Sequence, residues 1–80
     1  LDGSEIQEAV YTLLALDTAG CTVTCFAPDR NQHHVVDHRT GQAAEDTGGR
    51  NVLAEAARLA RGRIAPLTQA KADDFDAVIF

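Results

Sequence analysis

The sequence predicts an α/β domain with a mainly parallel sheet and crossover helices. Three observations carry that expectation: a helical apolar stripe over 4–18, a β-branched run over 21–27, and a second helical pattern over 52–61 that leads toward a continuous apolar run at 76–80. Helices alternating with strands bury their apolar faces by packing on a shared sheet.

In the first helix Ile6, Ala9, Val10, Leu13 and Leu14 fall at i, i+3, i+4, i+7 and i+8, one stripe of a 3.6-residue period. Ser4 with Gln7 three residues on has the pattern of a capping box. Gly20 is the expected stop, because glycine reaches left-handed φ without steric cost. Cys21 to Ala27 is β-branched and aromatic and predicts a strand. Pro28-Asp29-Arg30-Asn31 predicts a turn. His34 to His38 predicts a weaker second strand closed by Arg39-Thr40-Gly41, and the polar stretch 41–50, with Gly48-Gly49, a surface loop.

Asn51 opens the second helix, with Val52, Leu53, Ala56, Ala57, Leu59 and Ala60 at its apolar positions and Gly62 at its end. Its alanines suit close packing on a sheet. Arg63 to Leu67 predicts a short extended piece, and Gln69 to Asp74 one or two helical turns. Asp76-Ala77-Val78-Ile79-Phe80 has the pattern of a strand buried on both faces of a parallel sheet. The chain opens on a helix, so the strand that feeds it is expected to precede residue 1.

The chain has 80 residues, 45% of them hydrophobic and 24% charged, which sets the scale at one small domain. Seven basic against twelve acidic residues give a net charge of −5, which lacks the basic footprint of a nucleic-acid or anionic-membrane binder. The apolar run Leu13 to Leu16 is far short of a membrane span. There is no methionine, and both ends have the pattern of interior sequence, so residues 1–80 are expected to be one partial domain of a larger protein.

Cys21 and Cys25 are four apart on a predicted strand, about 13 Å between α-carbons. A disulfide needs less than about 7 Å, so the two cannot pair, and reduced buried thiols in a cytoplasmic protein are expected. His33, His34, Asp37 and His38 form a cluster rich in metal-ligand types. On a strand His34 and His38 lie too far apart for one ion, so hydrogen-bonded surface histidines are expected over a metal site. Gly48-Gly49 lacks the Lys-Ser/Thr of a phosphate-cradling loop. Glu5 and Glu8 stand in the first turns of the first helix, where acids complement the helix dipole and where ligands approach a parallel sheet. On a helical wheel Glu8 lies nearly opposite the Ile6–Val10–Leu13 stripe and Glu5 to its side.

Asp2-Gly3-Ser4-Glu5-Ile6-Gln7-Glu8-Ala9-Val10 resembles the ElbB proteins (enhancing lycopene biosynthesis protein, isoprenoid biosynthesis glyoxalase) of the PfpI-like branch of the class I glutamine amidotransferase-like superfamily. The resemblance continues in order through Phe26-Ala27-Pro28-Asp29, His38 with Gly41, Arg50-Asn51-Val52-Leu53, Glu55-Ala56-Ala57-Arg58, Arg61-Gly62 and Asp76 to Phe80. It implies a fragment of a flavodoxin-like three-layer sandwich, lacking the first strand and the C-terminal part. The glycine-rich 41–50 loop, His33-His34 and Tyr11 depart from the family pattern.

By the same resemblance, the function is that of a glyoxalase that needs no cofactor and no metal, converts 2-oxoaldehydes such as methylglyoxal to 2-hydroxy acids, is linked to isoprenoid biosynthesis, and works as a homodimer in the cytoplasm. Its nucleophilic cysteine lies outside this sequence, and neither Cys21 nor Cys25 matches it. A glutamate early in the first helix assists proton transfer. Counting back from Gly20 places that glutamate at Glu8, with Glu5 as the alternative if the register shifts. Alternatively, the same fold serves as a non-catalytic binding or regulatory module.

Overall fold

The structure is a computed structural model that describes residues 5–44 and 49–80. Its first element, α1 (Ile6–Thr18), is capped by Glu5, whose Oε2 accepts the Glu8 backbone N–H at 2.6 Å. The cap is thus Glu5 rather than the expected Ser4, which lies outside the described residues, as does Gly48. Gly20, at φ 77°, closes the helix as expected. The Cys21 amide donates to the Leu16 carbonyl at 2.9 Å and the Gly20 amide to that of Asp17 at 3.0 Å. These paired bonds satisfy carbonyls that a helix end otherwise leaves open.

Of the 21–27 run, only β1 (Cys25–Ala27) forms a ladder. Its partner is β4 (Ile64–Pro66), in parallel, with Cys25 opposite Ile64 and Ala27 opposite Pro66. A strand lasts only as long as its partner, and β4 is three residues long. Between the two runs α2 (Val52–Leu59), which packs on both strands and touches α1. The unit is therefore β–α–β, the connection that a parallel pair requires. At the end of α2 the Gly62 amide reaches the Ala57 carbonyl at 2.8 Å, with Arg61 and Gly62 both left-handed at φ 54° and 79°.

The 32–44 segment is a hairpin, β2 (Val36–Asp37) against β3 (Gln42–Ala43), antiparallel. Gln42 and Ala43 were expected in a loop. Neither has strand propensity, and the turn alone places them opposite β2. Asp37 builds that turn: its carbonyl accepts the Thr40 and Gly41 amides at 3.1 and 2.8 Å. Its carboxylate takes the Arg39 amide at 2.9 Å and the Arg39 guanidinium at 3.0 and 3.3 Å. The Arg39 side-chain and backbone hydrogen bonds hold the Asp37 carboxyl below its ordinary value of 3.8, partial burial opposes them, and His38 adds a smaller downward push.

A carboxyl with a lowered native pKa stabilises the fold above its ordinary value, and that contribution disappears as pH falls through the native one. The hairpin is therefore expected to hold at neutral pH and to loosen only below about pH 4. The amide shifts of Thr40 and Gly41 report it, and Asp37→Asn should abolish the acid transition. An unchanged transition in that variant would remove the role given to Asp37.

Two single 3-10 turns follow β4: Ala72–Asp74 falls within the expected 69–74 stretch, whereas Leu67–Gln69 takes Leu67 out of the expected extended piece. Phe75 then meets Phe26 of β1 edge-to-face at 5.7 Å. The expected buried strand at 76–80 does not form. No described strand pairs with it, and Val78 and Ile79 stay 60% and 64% exposed.

Among the described residues only Ala27 is buried. The apolar residues of α1 divide accordingly. Ala9, Leu13 and Leu16 are half-buried, whereas Ile6, Val10, Tyr11 and Leu14 are exposed.

Candidate functional site

β1 ends at Ala27, and the chain leaves the sheet through Pro28 to Gln32 at the carboxyl edge. In parallel α/β sheets this edge is where ligands bind. Here the segment is clamped to the start of α2. The Asn51 side chain works at both ends: its Nδ2 donates to Asp29 Oδ1 at 2.8 Å, and its Oδ1 accepts the Ala54 amide at 2.9 Å as the helix cap. The backbone adds two rungs, Gln32 N–H to the Arg50 carbonyl and Val52 N–H to the Arg30 carbonyl, both 2.8 Å.

Beside this clamp a cleft of about 390 Å³ opens between the start of α1, the hairpin and α2. Its walls are apolar, from Ile6, Val35, Val36, Val52, Ala56 and Leu59. Its polar lining comes from Glu5, Gln32, His38 and Arg50, and from Glu55 and Arg58, which pair with each other at 2.7 Å.

The structure brings two of the sequence candidates, Glu5 and His38, to this cleft. Glu8 is exposed and is not part of its lining. The two glutamates also differ in engagement. The Glu5 carboxylate is used as the α1 cap, and that of Glu8 has no partner among the described residues.

The His33 and His34 rings touch at a tilt of 52°, centroids 4.2 Å apart, outside the cleft lining. Among the described residues no group of three or more His, Cys, Asp or Glu comes together in a way that could hold a metal ion. Cys21 and Cys25 are both free, but Cys21 is exposed and Cys25 half-buried, not the buried pair expected. Position 21 lies before the paired part of the strand, so nothing covers it. No described helix is long and apolar enough to cross a membrane.

Two members of the site, Arg50 and Asp29, escaped reasoning from residue types. Asn51 was legible as a helix cap, but its bond to Asp29 spans 22 positions and joins two segments with no shared pattern.

The chain is thus an α/β unit with a parallel strand pair, and its likeness to a solved structure places it in the flavodoxin-like class, with an amidotransferase-like neighbour. The crystal structure of an isoprenoid biosynthesis protein with amidotransferase-like domain from Ehrlichia chaffeensis superposes with a TM-score of 0.86 at 43% identity, over 95% of this chain and 35% of that one. No protein-family model matches the chain.

Among curated proteins, the chain is 51% identical over 79 residues to the mitochondrial ES1 protein homolog of Rattus norvegicus. It is 49% identical over 79 residues to the mitochondrial glutamine amidotransferase-like class 1 domain-containing protein 3 of Homo sapiens. It is 39% identical over 83 residues to the mitochondrial ES1 protein of Danio rerio. Each match takes in 99% of this chain, which spans about 29% of the length of the first two relatives and 30% of the third.

These names correct one expectation. All three relatives are mitochondrial, which points to that organelle and not to the cytoplasm. Compartment is written in targeting segments, and the composition of a folded stretch carries no trace of it.

Proposed function

We propose that these residues supply the proton-transferring carboxylate of a cysteine-dependent, glyoxalase-like enzyme of the amidotransferase-like fold, and that Glu8 is that carboxylate. The observation that carries the choice is the division of labour at the start of α1. Glu5 is committed to capping the helix, and the Glu8 side chain, one turn on, has no partner among the described residues. The ElbB resemblance supports the reaction class, and the isoprenoid biosynthesis protein of the same fold is consistent with the metabolic setting.

In this reading a thiolate from elsewhere in the protein adds to the aldehyde carbon of a 2-oxoaldehyde, and the oxygen takes a proton to give a hemithioacetal. Glu8 removes the proton on that carbon and returns it to the neighbouring carbonyl carbon. The product is a thioester of a 2-hydroxy acid, and water then cleaves it to the free acid and the thiol. Neither Cys21 nor Cys25 takes part.

The test is turnover of methylglyoxal to lactate by the full-length protein without added cofactor. Turnover that requires the carboxylate of Glu8 supports the reading. Ligand binding with no turnover would favour a binding or regulatory module on the same fold.

A further inference from the structure

The cleft is lined by six apolar and six polar or charged residues, so a ligand in it meets both kinds of surface. Its charges can be sorted one by one. Glu55 and Arg58 neutralise each other at 2.7 Å. The Glu5 carboxylate accepts the Glu8 amide at the positive end of α1. His38 lies within electrostatic reach of Asp37 on the hairpin. Arg50 is left as a cation of the lining whose side chain makes no hydrogen bond or ion pair among the described residues.

Its backbone, by contrast, is fixed. The Arg50 carbonyl is held by Gln32, and the next residue, Asn51, is held at both ends by Asp29 and Ala54. A guanidinium on an anchored backbone beside an apolar cleft is a ready partner for one carboxylate, because its fork matches two carboxylate oxygens with parallel N–H···O bonds.

We propose that this cleft binds a short aliphatic carboxylate, with Arg50 as its anchor and Ile6, Val36, Val52 and Leu59 around the hydrocarbon. Asn51 is a positioning residue that fixes where Arg50 starts. The binding is independent of the glyoxalase reading, since it is measured without turnover.

The probe is isovalerate, titrated into the isotope-labelled full-length protein and read from the amide shifts of Val36, Val52 and Leu59. Isovalerate should shift these amides saturably. Isovaleramide, the same shape without the charge, should bind at least tenfold more weakly. Arg50→Gln should lose at least tenfold in affinity for isovalerate, and Arg50→Lys should retain part of it. Asn51→Asp keeps a helix-capping oxygen but sets two carboxylates against each other at position 29, so it should weaken binding several-fold with the α2 amides still protected. Equal binding of acid and amide, unchanged affinity in Arg50→Gln, or no saturable shift with isovalerate would each overturn the proposal. A protein that turns over methylglyoxal yet fails these tests would lose this inference alone.

Discussion

Glu8→Gln is expected to lower methylglyoxal turnover by the full-length protein by about two to four orders of magnitude, the range for loss of a positioned acid–base group. The fold should tolerate the change. The Glu8 side chain has no partner among the described residues, and its contribution to the α1 cap is its backbone amide, which glutamine keeps. Loss of rate should therefore come without a change in far-ultraviolet circular dichroism or melting temperature.

Glu5→Gln is the control. It removes the negative acceptor of the cap, so it should cost stability, about 1 kcal/mol on the scale of other helix caps, while much of the turnover persists. The reverse pattern, with Glu5→Gln inactive and Glu8→Gln active, would move the proton-transferring role to the carboxylate that lines the cleft. If both variants kept full turnover, the first turn of α1 would have no part in the chemistry.

The second large effect concerns the 80 residues expressed alone. They should show no cooperative thermal or urea transition as a monomer and no methylglyoxal turnover. Their accessible surface is 6704 Å². A folded monomer of 8.5 kDa exposes roughly 4,700 Å² by the usual scaling with mass. The excess is in part apolar: Ile6 and Leu14 on α1 are each 60% exposed, and Val78, Ile79 and Phe80 are open to solvent.

With one buried residue among those described, apolar burial cannot offset about 1–2 kcal/mol of backbone entropy for each ordered residue. Binding of a hydrophobic dye and concentration-dependent light scattering should accompany the absent transition. A sharp sigmoidal melt of a monodisperse 8.5 kDa species would refute this.

Several features were legible because they depend on near neighbours. Gly20 and Gly62 mark helix ends because left-handed φ is local, and Asn51 marks a helix start because its side chain reaches three residues on. Within the piece at Arg63 to Leu67, the strand Ile64–Pro66 was recognisable as extended, although its partner was not. Where neighbours alone were insufficient, expectation and structure part. The 76–80 run has the composition of a central strand but has no described partner, and a ladder cannot be assigned to one strand alone. Gln42 and Ala43 form a strand because Asp37 turns the chain back on itself. The compartment was out of reach for a different reason, since it is not a property of packing.

By itself the sequence determined where the two helices lie, the turn residues, the net charge of −5 and the acidic first turn of α1, because each follows from short-range sterics and hydrogen bonding or from composition. Only the tertiary structure decided which strand pairs with β1, that Asn51 bonds Asp29 across 22 positions, and that Arg50 lines one cleft with the start of α1 and the hairpin. Those outcomes depend on contacts between segments far apart in the chain, and no local pattern of residues specifies which distant partner a hydrogen bond will find.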